Sequence, residues 1–496
     1  MILDDLIRLG AELHAPRIAV RFGPATLSFA EVDALASGMG LRLAAALPRG
    51  APVGILANNG LLSLPLDFAC AKAGLVRVPL NARLSASEHA TMLRRLEASL
   101  LIHSPDLAGR AAALAADLPG LETLALDALA HGAAAERGGL PKPRADDPVL
   151  ALFTSGTTGR LKAVVHSQAS YGAVARNVLG NLVDPRPGDA MLHAASLFHA
   201  SGTLLVPFWL RGGAALVLPG FEPGGFLRAV EEGRPTTLML VPTMLAMLLD
   251  HPAFDPAAFA SVATILYGAS PMPRPLIERA LAALGPRFVQ FYGQTEAPLA
   301  IAALAKEDHL DPRRLSSCGR SAREADVRVD APSGQEGEVL VRAPFAMVGY
   351  RDEPELTAET MTPDGWLRTR DVGRVDADGF LTLVDRASDM IVTGGYNVYP
   401  KEVEDALASH PAVQDALVVG VPDAKWGEAV LAFVVPRPGA VAEPATLVEH
   451  CRALLAGYKL PKQVRFIDAL PLSAVGKPLR RALREPFWEG HERRVG

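Results

Sequence analysis

The sequence contains few cysteines and no long uninterrupted apolar segment. Its three cysteines, Cys70, Cys318 and Cys451, are far apart, with no second cysteine or histidine at metal-ligand spacing. This argues against a disulfide framework and against a zinc site. The longest apolar stretch, 237–250, is interrupted by Pro242 and is too short to span a bilayer. We therefore expect no transmembrane helix, no integral membrane association and a reducing, cytoplasmic location.

The sequence also lacks an excess of positive charge. Its 496 residues include 49 Lys and Arg against 54 Asp and Glu, a net charge of −5. This balance argues against general attraction to nucleic acid or to anionic membranes. The first residues contain acids and lack an apolar stretch followed by a small-residue cleavage site, which predicts no secretory signal. An anionic ligand would therefore have to be bound by local charge.

The pattern of apolar runs indicates an α/β fold. Short Val/Leu/Ala-rich runs at 51–57, 74–80 and 214–220 alternate with helix-like stretches such as 28–47, as in layered α/β domains. The Gly- and Pro-rich segment 131–148 is typical of a surface connection. A hydrophobic fraction of 49% over this length predicts at least one large domain plus a smaller one.

The character of the chain changes from about residue 320. The runs 337–344 and 373–386 are typical of antiparallel strands, the second with an Asp-Gly turn signal. After Arg386, 399–411 predicts a helix and 415–423 a strand. We therefore expect a large N-terminal domain with α/β layers and a β-rich subdomain, and a small mobile α+β C-terminal domain. The predicted bounds of the two domains are 1–387 and 388–496.

A loop rich in Gly, Ser and Thr, "FTSGTTGRLK" (153–162), stands between two predicted strands, 148–153 and 162–167. Its spacing is not that of a Walker A motif, because no Gly-Lys-Ser/Thr stands five residues after the first glycine. Taken alone, the loop is equally compatible with phosphate binding and with an ordinary polar turn. In the first case backbone amides, hydroxyls and one ammonium would surround phosphate oxygens; these candidates are Thr154, Ser155, Gly156, Thr157, Thr158, Gly159 and Lys162.

Read together with four later stretches, the loop resembles a motif of the adenylate-forming, or AMP-forming, acyl-CoA synthetase superfamily. The later stretches follow in the family's order: "FYGQTE" (291–296), "TRDVG" (369–373), "DRASDMIVTGGYNVYPKEVE" (385–404) and "PLSAVGKPLRR" (471–481). The motif style is similar to that of fatty-acyl, 4-coumarate and benzoate CoA ligases. The resemblance implies an acid–thiol ligase that uses ATP, Mg²⁺ and coenzyme A.

The resemblance assigns roles in nucleotide binding. Tyr292 matches the aromatic residue that stacks on adenine, Thr295 a phosphate contact and Glu296 the residue that holds Mg²⁺. Asp371 matches the aspartate that accepts hydrogen bonds from the ribose hydroxyls, and Arg386 an arginine near the ribose and phosphates. A further segment beside adenine consists of Gly268, Ala269 and Ser270.

The resemblance also assigns roles in catalysis and thiol transfer. Lys477 matches the lysine whose ammonium bridges the attacking carboxylate and the α-phosphate. Ser388 stands at the matching hinge position, two residues after Arg386, about which the small domain rotates between the two half-reactions. Gly394 and Gly395 would then line the pantetheine tunnel, and Trp426 matches a tryptophan that contacts coenzyme A in some aryl-CoA ligases.

Two features of the sequence bear on the substrates. His199, in "LFHASG" (197–202), matches a histidine that lines the acyl pocket, and the candidate walls 241–249 and 266–271 are mostly apolar. This favours a monocarboxylic acid with a fatty or aromatic tail over malonate or an amino acid, and a place in fatty acid metabolism. Segment 451–485 contains eight Lys or Arg and two acids, a basic patch that fits an anionic acceptor or simply a solvated face.

Alternatives to this reading stay open at the level of sequence. The chain could load a carrier-protein thiol instead of coenzyme A, or be a non-catalytic nucleotide-binding relative. One departure from the family pattern is Arg370, where relatives commonly have glycine, and its role is not set by the sequence. The oligomeric state is also open, and a homodimer is compatible with everything above.

Overall fold

The protein is described by a computed structural model. For Ser155, Asp385, Arg386 and Asn397 it describes the backbone alone. The residues that the structure describes are 1–136, 138–140, 142–155, 161–198, 200–270, 272–386, 389–393, 396–423, 426–440, 442–472 and 478–489.

The first third of the chain alternates helices and strands, as predicted. The predicted helix at 28–47 is α2, which begins with a capping box in which the Ser28 hydroxyl accepts from the Glu31 N–H. The elements are α1 (Leu3–His14), β1 (Ile18–Phe22), β2 (Ala25–Ser28), α2 (Phe29–Ala46), β3 (Pro52–Leu56), α3 (Ser63–Ala73), β4 (Val76–Pro79), α4 (Ala86–Arg95), β5 (Leu100–His103), α5 (Ala108–Asp117), β6 (Glu122–Ala125), α6 (Leu126–Ala130), β7 (Pro148–Ser155), β8 (Leu161–Ser167) and α7 (Gln168–Asn181).

The middle of the chain begins in the same style and then becomes mostly β. Pro242 separates the apolar stretch 237–250 into a strand and a helix. The elements are β9 (Ala190–His193), α8 (Leu205–Arg211), β10 (Ala214–Val217), α9 (Pro223–Gly233), β11 (Thr237–Leu240), α10 (Pro242–Leu249), β12 (Thr264–Gly268), α11 (Arg274–Leu284), β13 (Phe288–Gln294), β14 (Ala297–Leu304), β15 (Gly319–Ser321), β16 (Asp326–Val329), β17 (Gly337–Arg342), β18 (Gly349–Tyr350), α12 (Pro354–Thr360), β19 (Leu367–Val375) and β20 (Phe380–Arg386).

The last part of the chain forms the small α+β unit that the sequence predicts. The predicted domain boundary, between residues 387 and 388, falls on two positions outside the described residues, so it stays a prediction. The elements are β21 (Ile391–Thr393), β22 (Tyr396–Val398), α13 (Pro400–Ala408), β23 (Val413–Asp423), β24 (Gly427–Pro436), α14 (Pro444–Arg452), β25 (Gln463–Phe466) and α15 (Arg480–Arg484).

The strands form three sheets. The largest has the order β16-β17-β19-β20-β15-β14-β13-β12-β11-β9-β10-β1-β2, and it is parallel from β13 to β1 and antiparallel from β13 to β16. The second has the order β18-β8-β7-β4-β3-β5-β6. The third contains β22-β21-β24-β23, with β25 parallel to β24. The antiparallel part begins at β14 (Ala297–Leu304), earlier than the predicted residue 320, and it extends the parallel sheet.

The largest hydrophobic core joins the two large sheets. It contains buried residues of the second sheet, such as Val149 and Val164, of the first sheet, such as Val289 and Ile301, and of helix α7, such as Val178. This packing brings the end of β8 close to the end of β13. Among the described residues, no helix is both long and apolar enough to cross a membrane.

Candidate active site

The candidate phosphate loop connects β7 to β8 as a hairpin. The two strands pair antiparallel with Thr154 opposite Lys162, which confirms the predicted strand–loop–strand arrangement. The Nζ atom of Lys162 lies 5.4 Å from the ring centroid of Tyr350. Residues 156–159 and the side chain of Ser155 lie outside the described part of the chain, so their phosphate contacts stay predictions.

Segment 268–270 begins where β12 ends, against the neighbouring strand β13. Gly268 is the register partner of Phe291, and a Cβ at Gly268 would come within 2.3 Å of the Phe291 carbonyl oxygen. The next residue, Ala269, has a φ of 66°, a left-handed conformation that residues other than glycine rarely adopt. The close approach therefore requires glycine at 268 and places Ala269 and Ser270 at the carboxyl ends of parallel strands, where α/β sheets bind ligands.

Tyr292 on β13 and Asp371 on β19 are joined by a buried hydrogen bond. The Tyr292 hydroxyl donates to Oδ2 of Asp371 over 2.6 Å, and the two residues are only 7% and 6% exposed. Burial, and then the charge of Asp371, raise the pKa of Tyr292 well above its usual value, so the phenol stays a hydrogen-bond donor. Asp371 also stands opposite Arg386 of β20 in the strand register. The structure thus brings together three residues predicted to bind the nucleoside.

Thr295 and Glu296 form the turn between β13 and β14. Nε2 of His166 donates to the Thr295 carbonyl oxygen over 2.8 Å, and burial lowers the pKa of His166 to about 4, so its ring is neutral. The Met347 N–H donates to the Glu296 carbonyl oxygen over 2.7 Å. The Tyr350 hydroxyl donates to Glu296 Oε1 over 2.8 Å. Contacts from β8, from β18 and from the segment just before β18 therefore hold both the backbone and the carboxylate of this turn.

The donor atoms at this turn fit one kind of metal ion. Within the described residues, no group of three or more His, Cys, Asp and Glu side chains could hold a metal ion. Glu296 therefore supplies a single carboxylate as a possible metal ligand at this turn. Mg²⁺ is commonly held by one or two carboxylates together with substrate phosphates and water. The arrangement fits a magnesium ion bound together with a nucleotide rather than one enclosed by protein ligands.

Three residues of this site are absent from the sequence-based prediction. His166 and Tyr350 are more than 50 residues from the motif they support, and nothing in their local sequence indicates that contact. Gln294 lies inside "FYGQTE", where the motif itself could have indicated it. Its Nε2 atom is buried without a hydrogen-bond acceptor among the described residues. A buried amide without an acceptor is costly, which makes Gln294 a candidate contact for a bound ligand.

The third sheet presents aromatic rings and cations at its surface. Trp426 is 40% exposed and lies next to the start of β24, with Nζ of Lys462 5.6 Å from its ring centroid. The rings of Tyr396 and Tyr458 stack with centroids 4.7 Å apart. Trp426 is therefore accessible to a ligand, and its predicted contact with coenzyme A stays a prediction. Four other predicted site residues lie outside the described residues: His199, Gly394, Gly395 and Lys477.

The basic patch predicted at 451–485 is largely neutralised in the structure. Of its seven described cations, five form ion pairs; four of the five acids lie outside the segment, and the fifth, Glu485, is its last residue. Lys462 and Arg465 instead lie over the rings of Trp426 and Phe487. The five pairs are Arg452–Glu449, Lys459–Glu402, Arg480–Glu404, Arg481–Glu485 and Arg484–Asp389.

Comparison with known sequences identifies the family. A family model described as "AMP-binding enzyme" matches residues 8–351, and one described as "AMP-binding enzyme C-terminal domain" matches residues 402–477. The medium/long-chain-fatty-acid–CoA ligase FadD8 of Mycobacterium tuberculosis is 39% identical over 477 residues, covering 90% of this chain and 83% of its own. The feruloyl-CoA synthase of an Amycolatopsis species is 40% identical over 493 residues, covering 96% and 97%.

Comparison with solved structures gives the same result. The crystal structure of ATP-bound MatB from Rhodopseudomonas palustris superimposes with a TM-score of 0.90 at 28% sequence identity, covering 98% of this chain and all of the other. The matches extend over both the large and the small domain. This chain therefore belongs to the AMP-binding enzyme family, within the adenylate-forming acyl-CoA synthetase superfamily, and is an AMP-forming acid–thiol ligase that uses ATP.

Proposed function

We propose that the protein activates a monocarboxylic acid with a fatty or aromatic tail as an acyl-adenylate and transfers the acyl group to coenzyme A. The observation that carries the nucleotide half of this proposal is the buried contact of Tyr292 with Asp371, beside the Gly268 segment. The acid class is supported by the relatives, which are named for medium- and long-chain fatty acids and for ferulic acid.

In the first half-reaction the acid carboxylate attacks the α-phosphorus of ATP and pyrophosphate leaves. Tyr292 and residues 268–270 would bind adenine, and Asp371, with Arg386 beside it, the ribose. Thr154, Lys162 and the loop between them would bind the phosphates, with the ammonium of Lys162 near the oxygens that gain charge. Lys477 would bridge the two anions that must approach each other, which lowers their mutual repulsion.

Glu296, with Thr295 beside it, would hold Mg²⁺. The ion, when bound, neutralises charge on the phosphate oxygens. The protein's own contribution is to fix the carboxylate: Tyr350 holds Oε1, while His166 and Met347 donate to the carbonyl oxygens of Thr295 and Glu296. A preorganised carboxylate does not have to be reoriented when the nucleotide binds.

In the second half-reaction the thiolate of coenzyme A attacks the acyl carbonyl and AMP leaves. Lys477 would occupy space that the thiol arm needs, so the small domain, 388–496, would rotate relative to 1–387 about Ser388. Gly394 and Gly395 would then leave room for the pantetheine chain. Trp426 is 40% exposed, which supports its role as a contact for coenzyme A.

The acid would lie beside His199, between the walls 241–249 and 266–271. Leu245, Leu248 and Leu249 of α10 are buried, whereas Met247 is 51% exposed. One face of α10 therefore packs in the core, and the other face is accessible and could line a pocket. Apolar walls of this kind suit an alkyl or aryl tail and disfavour a second carboxylate. We place the reaction in the cytoplasm, where the three buried, unbridged cysteines would stay reduced.

The experiment is an assay of pyrophosphate release with Mg-ATP. The acids are short-, medium- and long-chain fatty acids, aromatic acids and malonate, each with and without coenzyme A. Release with fatty or aromatic acids, and turnover that depends on coenzyme A, is the expected result. Release that is insensitive to coenzyme A would point to a carrier-protein thiol as the acceptor. Preference for malonate, or ATP binding without release for any acid, would contradict the proposal.

A further inference from the structure

We propose that Tyr350 is a positioning residue that holds the metal-binding carboxylate of Glu296 and the phosphate-binding ammonium of Lys162 apart in their working positions. This inference rests on the proposed function, because it takes Glu296 as the metal ligand and Lys162 as a phosphate contact. It assigns a role to a residue in neither motif. Tyr350 lies 188 positions after Lys162 and 54 after Glu296 in the chain.

The backbone of Tyr350 is fixed directly on the strand that carries Lys162. The two-residue strand β18 pairs antiparallel with β8, with Tyr350 opposite Val164. On either side of Tyr350, the N–H groups of Val348 and Arg351 donate to the carbonyl oxygens of Val165 and Ala163, each over 2.9 Å. These bonds leave the segment little freedom to slide along β8.

Helix α12 adds a contact from the opposite side. The Tyr350 N–H donates to Oγ1 of Thr357 over 2.9 Å, and the Thr357 hydroxyl in turn donates to the Glu353 carbonyl oxygen over 2.8 Å. The side chain of Tyr350 is mostly buried, since the residue is only 9% exposed. Its ring therefore has one well-defined direction, toward the turn that follows β13.

Two different parts of the Tyr350 side chain contact the two charged residues. The hydroxyl donates to Glu296 Oε1 over 2.8 Å, and the ring has the Nζ atom of Lys162 5.4 Å from its centroid. The hydroxyl bond selects one orientation of the carboxylate. The ring attracts the ammonium by a cation–π interaction without neutralising its charge.

The consequence is that the Lys162 ammonium and the Glu296 carboxylate are kept apart, which favours binding of Mg-ATP. In the part of the chain that the structure describes, Lys162 and Glu296 form no ion pair with each other, although both contact Tyr350. A direct ion pair would engage the carboxylate that has to bind the metal and the ammonium that has to bind phosphate. The tyrosine thus keeps both charges available, and its hydroxyl and its ring serve different halves of the Mg-ATP complex.

Because the hydroxyl and the ring of Tyr350 have different roles, the two can be tested separately. The test uses the full-length protein and a non-cleavable ATP analogue with a methylene group between the α- and β-phosphates. Isothermal titration measures analogue affinity without metal, and electron paramagnetic resonance measures Mn²⁺ affinity with the analogue bound. Tyr350→Phe removes the hydroxyl alone, and we expect Mn²⁺ affinity to fall roughly 10- to 100-fold, as for other supports of a metal ligand. Metal-free analogue affinity should stay within about twofold of wild type, because the ring remains.

Tyr350→Leu removes the ring as well and keeps apolar bulk. We expect metal-free analogue affinity also to fall, by about threefold or more, because the cation–π contact is lost. Tyr171→Phe is the matched control: it removes the hydroxyl of another buried tyrosine, whose ring has the guanidinium of Arg77 5.5 Å from its centroid, and both affinities should stay at the wild-type values. Thermal unfolding of each variant checks that these affinities are measured on folded protein.

Glu296→Gln separates failure of this inference from failure of the proposed function. If Glu296→Gln binds Mn²⁺ as tightly as wild type does, the metal role of Glu296 is wrong, and the role of Tyr350 is overturned with it. If Glu296→Gln binds weakly while Tyr350→Phe binds as wild type does, only the role of Tyr350 is overturned. A loss of Mn²⁺ affinity in both variants, with Tyr350→Phe retaining its metal-free affinity, supports the inference.

Discussion

The hydroxyl of Tyr292 donates a 2.6 Å hydrogen bond to the carboxylate of Asp371, and both residues are buried. The bond connects the strand that would carry adenine to the strand that would carry ribose. The distance between the two recognition elements is therefore set by protein contacts before a nucleotide binds. One carboxylate oxygen, Oδ2, is already engaged, which orients Asp371 toward its ligand.

Replacing Asp371 by alanine should weaken ATP binding strongly. Hydrogen bonds to a charged group contribute about 1.5–3 kcal/mol, so we expect the Kd for ATP to rise about 10- to 100-fold. Calorimetric titration with ATP measures this change. Asp378→Ala, on the exposed turn of the same hairpin, removes a carboxylate that pairs with Arg314 and should leave the Kd unchanged. Equal affinity of Asp371→Ala and wild type would contradict the ribose assignment.

Replacing Lys477 by alanine should separate the two half-reactions. We expect acyl-adenylate formation to fall by at least about 100-fold, because a preorganised charge is lost where negative charge develops. Transfer from supplied acyl-adenylate to coenzyme A should be largely retained. Pyrophosphate release measures the first step, and thioester formation from synthetic acyl-adenylate measures the second. Equal loss in both assays would mean that Lys477 is structural or wrongly assigned.

Replacing Gly268 by alanine should disturb the adenine segment through a backbone clash. The new Cβ would lie 2.3 Å from the Phe291 carbonyl oxygen. Because that oxygen belongs to the backbone of the paired strand, rotation of a side chain cannot relieve the clash. We expect a loss of at least about 1–3 kcal/mol in the free energy of unfolding and weaker ATP binding. Gly220→Ala is the control, because its Cβ would meet no atom within 4 Å. Urea denaturation measures the free energy of unfolding of both variants, and calorimetric titration measures their ATP binding. Equal effects of Gly268→Ala and Gly220→Ala would contradict the predicted clash.

Replacing Arg370 by glycine should stabilise the protein relative to alanine at the same position. Arg370 has a φ of 62°, a conformation that costs a residue with a Cβ about 1–2 kcal/mol. Alanine keeps that cost and glycine removes it, so Arg370→Gly should exceed Arg370→Ala in free energy of unfolding by about 1 kcal/mol. Equal stability of the two variants would show that the backbone is not strained.

Acid should destabilise the fold through His166. Its folded pKa is about 4, below the ordinary value near 6.5, so between these pH values the unfolded chain binds more protons than the folded one. Stability contributed by the neutral ring is present above about pH 6.5 and is lost as the pH falls toward 4, amounting to about 3 kcal/mol. Urea denaturation at several pH values should show a shallower loss for His166→Gln than for wild type. Parallel curves would contradict this assignment.

Much of the fold and of the site follows from local sequence. Period and turn signals predict α2, the β7–β8 hairpin, the β19–β20 turn and the change to antiparallel structure after residue 320, because each depends on neighbours in the chain. The five ordered motifs identify the family, and the family match bears out that identification. The bounds of the domains and the individual site roles stay predictions.

The contacts that connect the motifs are decided by tertiary structure alone. Tyr350 reaches Glu296 and Lys162 only because β18 joins the edge of the second sheet, and His166 reaches Thr295 only because two sheets pack on one core. The positive charge of 451–485, which the sequence suggests is a free patch, is mostly paired with acids nearby in space. Residue types and their order set the chemistry that this protein can perform. The packing of distant strands decides which charges are paired and which side chains hold the reactive groups, because those distances depend on the whole core.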